Sequence, residues 1–173
     1  MKLLDFVLIV WIIVISVFVI VNDKATCNED IQIIKSTFPV QIDSTLTKEN
    51  VILFLLEINI KYPEIVYAKI MLETGNLSSQ ICRENNNLFG MKTIGNRPTT
   101  NKGSKNGYAY FESWKDSIID YLLYQSLYLK NKSKEEYYNY LLNTYSQDSN
   151  YIYKIKELEE SYYIIKETYD NNR

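Results

Sequence analysis

Leu72-Glu73-Thr74-Gly75-Asn76, with Asn87-Leu88-Phe89-Gly90-Met91-Lys92 beginning eleven positions after Asn76, ends an apolar helical pattern on a carboxylate and then opens a compact asparagine-rich loop. Upstream, Pro63 to Glu73 reads as a helix, with proline in the first turn and Gly75 placed to stop it. Glu73 therefore falls in the last turn. There the negative end of the helix disfavours a second negative charge, and apolar neighbours such as Met71 and Leu72 add a desolvation penalty. Both effects push its pKa upward. A carboxylic acid still protonated near neutral pH suits glycosidic bond cleavage, because the leaving sugar oxygen must receive a proton as the bond breaks. On position alone, a solvated helix-end glutamate is the competing reading.

Outward from that stretch the pattern stays helical. Val51 to Leu56 is apolar enough for a buried helix or a strand, and Thr47 as a cap favours the helix. Ser113-Trp114-Lys115-Asp116 reads as a capped start, with Ile118, Ile119, Leu122, Leu123 and Leu127 spaced for one apolar face. Ser133-Lys134-Glu135-Glu136 repeats the signal, and a last helix from about Asn150 carries Ile152, Ile155, Leu158 and Tyr162. Between Arg97 and Phe111 the pattern changes: Asn106-Gly107 is a hairpin-turn pair, followed by alternating Tyr108-Ala109-Tyr110-Phe111. The expectation is a mainly α domain with one small β-hairpin.

The segment YAKIMLETGNLSSQICRENNNLFGMK, Tyr67 to Lys92, resembles the core of the bacterial glucosaminidases of glycoside hydrolase family 73, the autolysin and flagellar muramidase type. YAYFESWKDSIIDYLLYQ resembles that family's aromatic-Ser helix start, and YSQDSNYIYKI its Tyr-Ala-Thr-Asp-Pro-x-Tyr-x-x-Lys-Ile segment. The resemblance implies a lysozyme-like α+β fold and an endo-β-N-acetylglucosaminidase that cuts the β-1,4 bond after N-acetylglucosamine in peptidoglycan glycan strands, with no cofactor. It places Glu73 as general acid and Tyr145 at the tyrosine implicated in the active site. Asn87, Phe89, Tyr108 and Tyr110 become candidate substrate contacts, the last two because the hairpin of a lysozyme-like fold walls the groove. Packing of those tyrosines onto the helices is the alternative. Two features depart from the family. Asn76-Leu77 stands where Trp-Gly is common, and Thr93 to Ala109 holds no Asp or Glu to serve as the usual hairpin acid. Glu84, Glu112 and Asp148 are the candidate second acids; otherwise the substrate's 2-acetamido group attacks, with Tyr145 orienting it. A lytic transglycosylase and a non-catalytic peptidoglycan-binding protein are the other functions compatible with these motifs.

The amino terminus reads as a membrane anchor. Phe6 to Val21 contains no charge and a single hydroxyl residue, Ser16, and the span from Leu3 to Val21 is close to bilayer thickness. A cleaved signal peptide is the competing reading, but the apolar core is long and no Ala-x-Ala site precedes Cys27. The expected organisation is an anchor at 1–24 with its helix at about 3–21, a stem at 25–43, a glucosaminidase-like domain at 44–169 and a disordered, frayed polar tail at 170–173. Such a chain would be a single-pass protein of the cytoplasmic membrane, its domain facing the periplasm or cell wall.

Composition removes other chemistries. The chain has no histidine, which excludes Ser-His and Cys-His nucleophiles and histidine-ligated metals. Its formal net charge of −2 and the lack of a basic stripe argue against nucleic acid as a partner. Two cysteines, Cys27 and Cys82, leave a disulfide open, and sixteen tyrosines serve either a core or an aromatic groove.

Overall fold

The computed structural model describes residues 43–93, 95–145 and 150–171, without the side chain of Tyr145. The expected anchor, the stem up to residue 42, Cys27 and Asp148 lie outside the described residues. Among the described residues no helix is long and apolar enough to cross a membrane.

Helix α1, Lys48–Glu57, starts where Thr47 turns extended and its side chain accepts the Asn50 N–H. Its residues Val51, Ile52, Phe54 and Leu55 are buried. Helix α2, Pro63–Thr74, is the axis of the domain: every residue from Ile65 to Met71 is buried, so the helix has partners all round. On one side Val66, Tyr67, Ile70 and Met71 pack with α1, Trp114, Ile118, Tyr121 and Tyr162. On the other, Ile65 and Ala68 meet Leu129, Tyr137, Leu141, Tyr151 and Ile155. Its most extensive partner is the last helix, α6, Tyr151–Asn171.

The stretch expected as loop contains a short helix, α3, Gln80–Asn85. Ser79 caps it by accepting the Cys82 N–H, and Asn86 ends it in the left-handed region. Sequence reading missed it because one and a half turns hold no apolar period to detect.

Strands β1, Ser104–Lys105, and β2, Tyr108–Ala109, pair antiparallel with Ser104 opposite Ala109 and Lys105 opposite Tyr108. Asn106 and Gly107 join them with φ of 56° and 79°, the pair of positive angles that a two-residue hairpin turn requires. Three consecutive asparagines hold this hairpin to α3. Asn85 Nδ2 donates to the Lys105 carbonyl at 2.8 Å, Asn86 Nδ2 to the Phe111 and Glu112 carbonyls at 3.1 Å each, and Asn87 Nδ2 to the Ala109 carbonyl at 2.9 Å. Arg97 to Thr100 does not extend the hairpin. Pro98 has no N–H to offer a ladder, and the donors around it turn instead to Asp120 of the next helix.

Helix α4, Trp114–Tyr128, begins with the expected capping box between Ser113 and Asp116. Its buried face differs from the apolar one read above. Trp114, Ser117, Ile118, Asp120, Tyr121 and Gln125 point inward, whereas Leu127 is 55% exposed. Each polar member of that face has a partner that only the folded chain supplies. Ser117 accepts the Leu88 N–H, Asp120 takes Arg97, and Gln125 brackets both backbone groups of Lys61. Helix α5, Lys134–Tyr145, starts at Ser133, whose N–H and hydroxyl bond Glu136 reciprocally. Helix α6 buries Tyr151, Ile155, Glu159 and Tyr162, and runs to Asn171, past the expected fraying point.

Candidate active site

The backbone after Glu73 is unusual. Gly75, Asn76 and Leu77 all have positive φ, at 55°, 57° and 67°, and a left-handed leucine is a strained residue. Thr74 holds this turn together. Its hydroxyl donates to the Ile70 carbonyl at 2.6 Å and accepts the Leu77 N–H at 2.9 Å, while its carbonyl accepts from Ser78 and Ser79. A hydroxyl beside the glutamate is thus a structural need, and it fixes the direction in which α2 presents Glu73.

Two side chains hold the carboxylate. Lys69, one turn earlier on α2, donates from Nζ to Glu73 Oε1 at 2.9 Å, and the Tyr151 hydroxyl from α6 donates to the same oxygen at 3.1 Å. The two donors also touch each other, Lys69 Nζ lying 3.3 Å from the Tyr151 hydroxyl. The Lys69 side chain is fully buried, whereas that of Glu73 is 27% exposed. Burial drives the Lys69 ammonium below the ordinary lysine range, against the charge of Glu73, which pulls it up. Burial also raises Tyr151 far above the ordinary phenol, helped by the neighbouring carboxylate, so this hydroxyl remains a proton donor to Glu73. Glu73 Oε2 has no hydrogen-bond partner among the described residues. A carboxyl held by one oxygen and open at the other, with partial access to solvent, is equipped to deliver a proton outward.

The sequence of a whole family fits this chain. The glucosaminidase family, described as mannosyl-glycoprotein endo-beta-N-acetylglucosaminidase, matches residues 55–164, more than half of the chain. The chain belongs to the glucosaminidase family. The matched span contains α2, the hairpin, the capped start of α4 and all residues of the Glu73 cluster. Protein bax of Escherichia coli (strain K12) is 44% identical over 50 residues, which cover 29% of this chain and 18% of that protein. The chain therefore spans less than a fifth of that curated relative. The catalytic domain of the autolysin Auto from Listeria monocytogenes matches at 21% identity with a TM-score of 0.45, over 80% of this chain and 96% of that one.

The other residues expected at a glucosaminidase site separate into two groups. Asn87 and Phe89 are 1% and 2% exposed. Asn87 is saturated: Nδ2 donates to the Met91 and Ala109 carbonyls, and Oδ1 accepts the Phe89 and Met91 N–H groups. Phe89 stacks on Tyr121 with centroids 4.2 Å apart and planes 5° from parallel. Both shape the loop from within, and in this arrangement neither offers surface to a ligand. Tyr108 and Tyr110 share the side of the hairpin opposite buried Ala109 and Phe111, as the two-residue period of a strand requires. Tyr110 is 36% exposed, with its ring against Gly103, and is the more accessible of the two.

Of the candidate second acids, Glu84 is engaged at the hairpin turn, accepting from Gln80 at 2.8 Å and Asn106 at 3.4 Å. Glu112 makes an exposed pair with Lys102 at 3.4 Å. Neither bonds to the Glu73 cluster. The side chain of Tyr145 and the whole of Asp148 lie outside the described residues. Sequence reading missed Lys69 and Tyr151. Lys69 was findable, since residues four apart share a helix face. Tyr151 lies 78 positions from Glu73 and meets it only through the packing of α6 on α2.

Proposed function

We propose that this chain is a peptidoglycan hydrolase that cleaves the β-1,4 bond after N-acetylglucosamine, with Glu73 as the general acid. The observation that carries the reading is the half-held carboxyl of Glu73 at the end of a buried helix, in a chain of the glucosaminidase family. In the proposed reaction Glu73 passes its proton to the glycosidic oxygen while the bond from that oxygen to the anomeric carbon breaks. Water completes hydrolysis, and the carboxylate left behind stays bonded to Lys69 and Tyr151. The engagement of Glu84 elsewhere and the surface position of Glu112 favour attack by the substrate's own acetamido group over a second carboxylate among the described residues. The same observation keeps a lytic transglycosylase as the second reading, since that reaction also manages with one glutamate. Tyr110 and Tyr145 are proposed to contact sugar. The apolar run at about 3–21 is proposed to hold the enzyme in the cytoplasmic membrane, with the domain on the outer side where peptidoglycan lies.

The test incubates the full-length chain and its Glu73→Gln variant with purified peptidoglycan and identifies the reduced muropeptides by mass spectrometry. Ends in reduced N-acetylglucosamine, missing from the variant digest, support the hydrolase. Anhydromuramyl ends support the transglycosylase. No new ends from folded protein that still sediments with the sacculus would replace both with a non-catalytic binding protein.

A further inference from the structure

A fully buried lysine on an otherwise apolar helix calls for a reason, because withdrawing an ammonium from water costs several kcal/mol or more before any partner offsets it. Lys69 is that residue. The helix around it, Ile65 to Met71, is packed on all sides by apolar and aromatic groups. Hydrophobic packing at position 69 would be satisfied by a methionine or leucine. What those side chains lack is a donor aimed at Glu73 Oε1 from 2.9 Å.

We infer that Lys69 is the positioning residue of Glu73: with Tyr151 it occupies Oε1, so that Oε2 is the oxygen that carries and delivers the proton. The inference rests on the reading of Glu73 as general acid. Lys69 is 0% exposed and cannot itself meet the glycan, so it acts through the carboxyl alone. Its first effect is geometric. A glutamate side chain partly open to solvent has several rotamers, and two donors on one oxygen select the one that leaves the other oxygen free. Its second effect is electrostatic, since an ammonium beside the carboxyl steadies the charge that appears as the proton departs. Among the described residues, the ionisable groups facing Lys69 include Glu73 on its own helix and Tyr151 on α6, with Tyr137 of α5 behind Tyr151.

The test measures kcat, KM and the pH profile of full-length Lys69→Met, Lys69→Gln and Glu73→Gln on soluble glycan strands stripped of stem peptides. The expected result for Lys69→Met is a fall in kcat of about 10- to 100-fold, the cost of losing orientation at a reacting group, with KM unchanged within about twofold. The high-pH limb of its profile should move up, because a positive charge beside the reacting carboxyl is gone. Lys69→Gln, whose amide still donates but carries no charge, should regain part of the kcat and keep the displaced limb. Wild-type kcat and an unmoved limb in folded Lys69→Met, with Glu73→Gln inactive, would overturn the inference and leave the reading of Glu73 intact. An active Glu73→Gln would overturn both. If neither neutral variant folds, Lys69 serves the core rather than the acid, and the inference fails.

Discussion

Two ion pairs sit at low exposure among the described residues, and they are built for opposite purposes. Arg97 and Asp120 are 4% and 1% exposed, and every oxygen of Asp120 is taken: Oδ2 by Arg97 at 2.6 Å, Oδ1 by Arg97, the Thr99 hydroxyl and the Thr100 N–H. Lys69 and Glu73 are 0% and 27% exposed, and among the described residues only Oε1 is taken. A saturated carboxylate is a fastener, because moving its charge or proton breaks several bonds at once. A half-saturated one retains a position for chemistry while its orientation is fixed. Here the first ties the loop ahead of the hairpin to α4, and the second ends α2 beside a strained turn.

The contrast is open to direct attack. The largest effect is expected at the open pair: Glu73→Gln should lower turnover by about 10²- to 10⁴-fold, the usual worth of a general acid. Asp120→Asn should act on stability instead. Loss of one partner of a buried pair costs about 3–5 kcal/mol in urea unfolding, while the surviving folded protein keeps turnover within a few-fold. If Asp120→Asn abolished turnover without loss of stability, the division between fastener and tool would fail. Asn87→Ala extends the saturated class to a neutral group, and stranding its loop partners should cost about 2 kcal/mol in the same assay.

A smaller effect comes from pH. Burial pushes Tyr137 and Tyr162 up to about 12, above the ordinary phenol, and Tyr151 is raised too. For a group raised on folding, the stabilisation is complete below the unfolded pKa near 10 and is lost as pH climbs through the folded value. Lys69 is shifted the other way, and its opposing contribution is complete once pH passes the unfolded lysine value of about 10.4. The urea midpoint should therefore fall between pH 10 and pH 12, and an unchanged midpoint over that range would mean that these tyrosines are not sealed.

Much of this was legible in the chain. Thr47, Ser113 and Ser133 mark helix starts, Gly75 marks a helix end and Asn106-Gly107 marks the hairpin, and the structure has each of them there. These are local signals, and their physics acts over one turn. The inner face of α4 was misread because Ser117, Asp120 and Gln125 point inward, each satisfied by a partner from a distant part of the chain. The asparagine run was legible as a loop but not as a clasp, since its carbonyl partners lie 20 to 26 positions away.

At the candidate site the same boundary holds. By itself the sequence determined the family motifs, the helix that ends at Glu73 and the hydroxyl-glycine pair that follows, because dihedral preferences and capping are written in neighbouring residues. Only the tertiary structure decided which oxygen of Glu73 is held, which tyrosine holds it and that Lys69 is buried beneath it. Those depend on how α6 packs against α2, and burial and hydrogen bonding across that seam are properties of the packed chain rather than of any local run of residues.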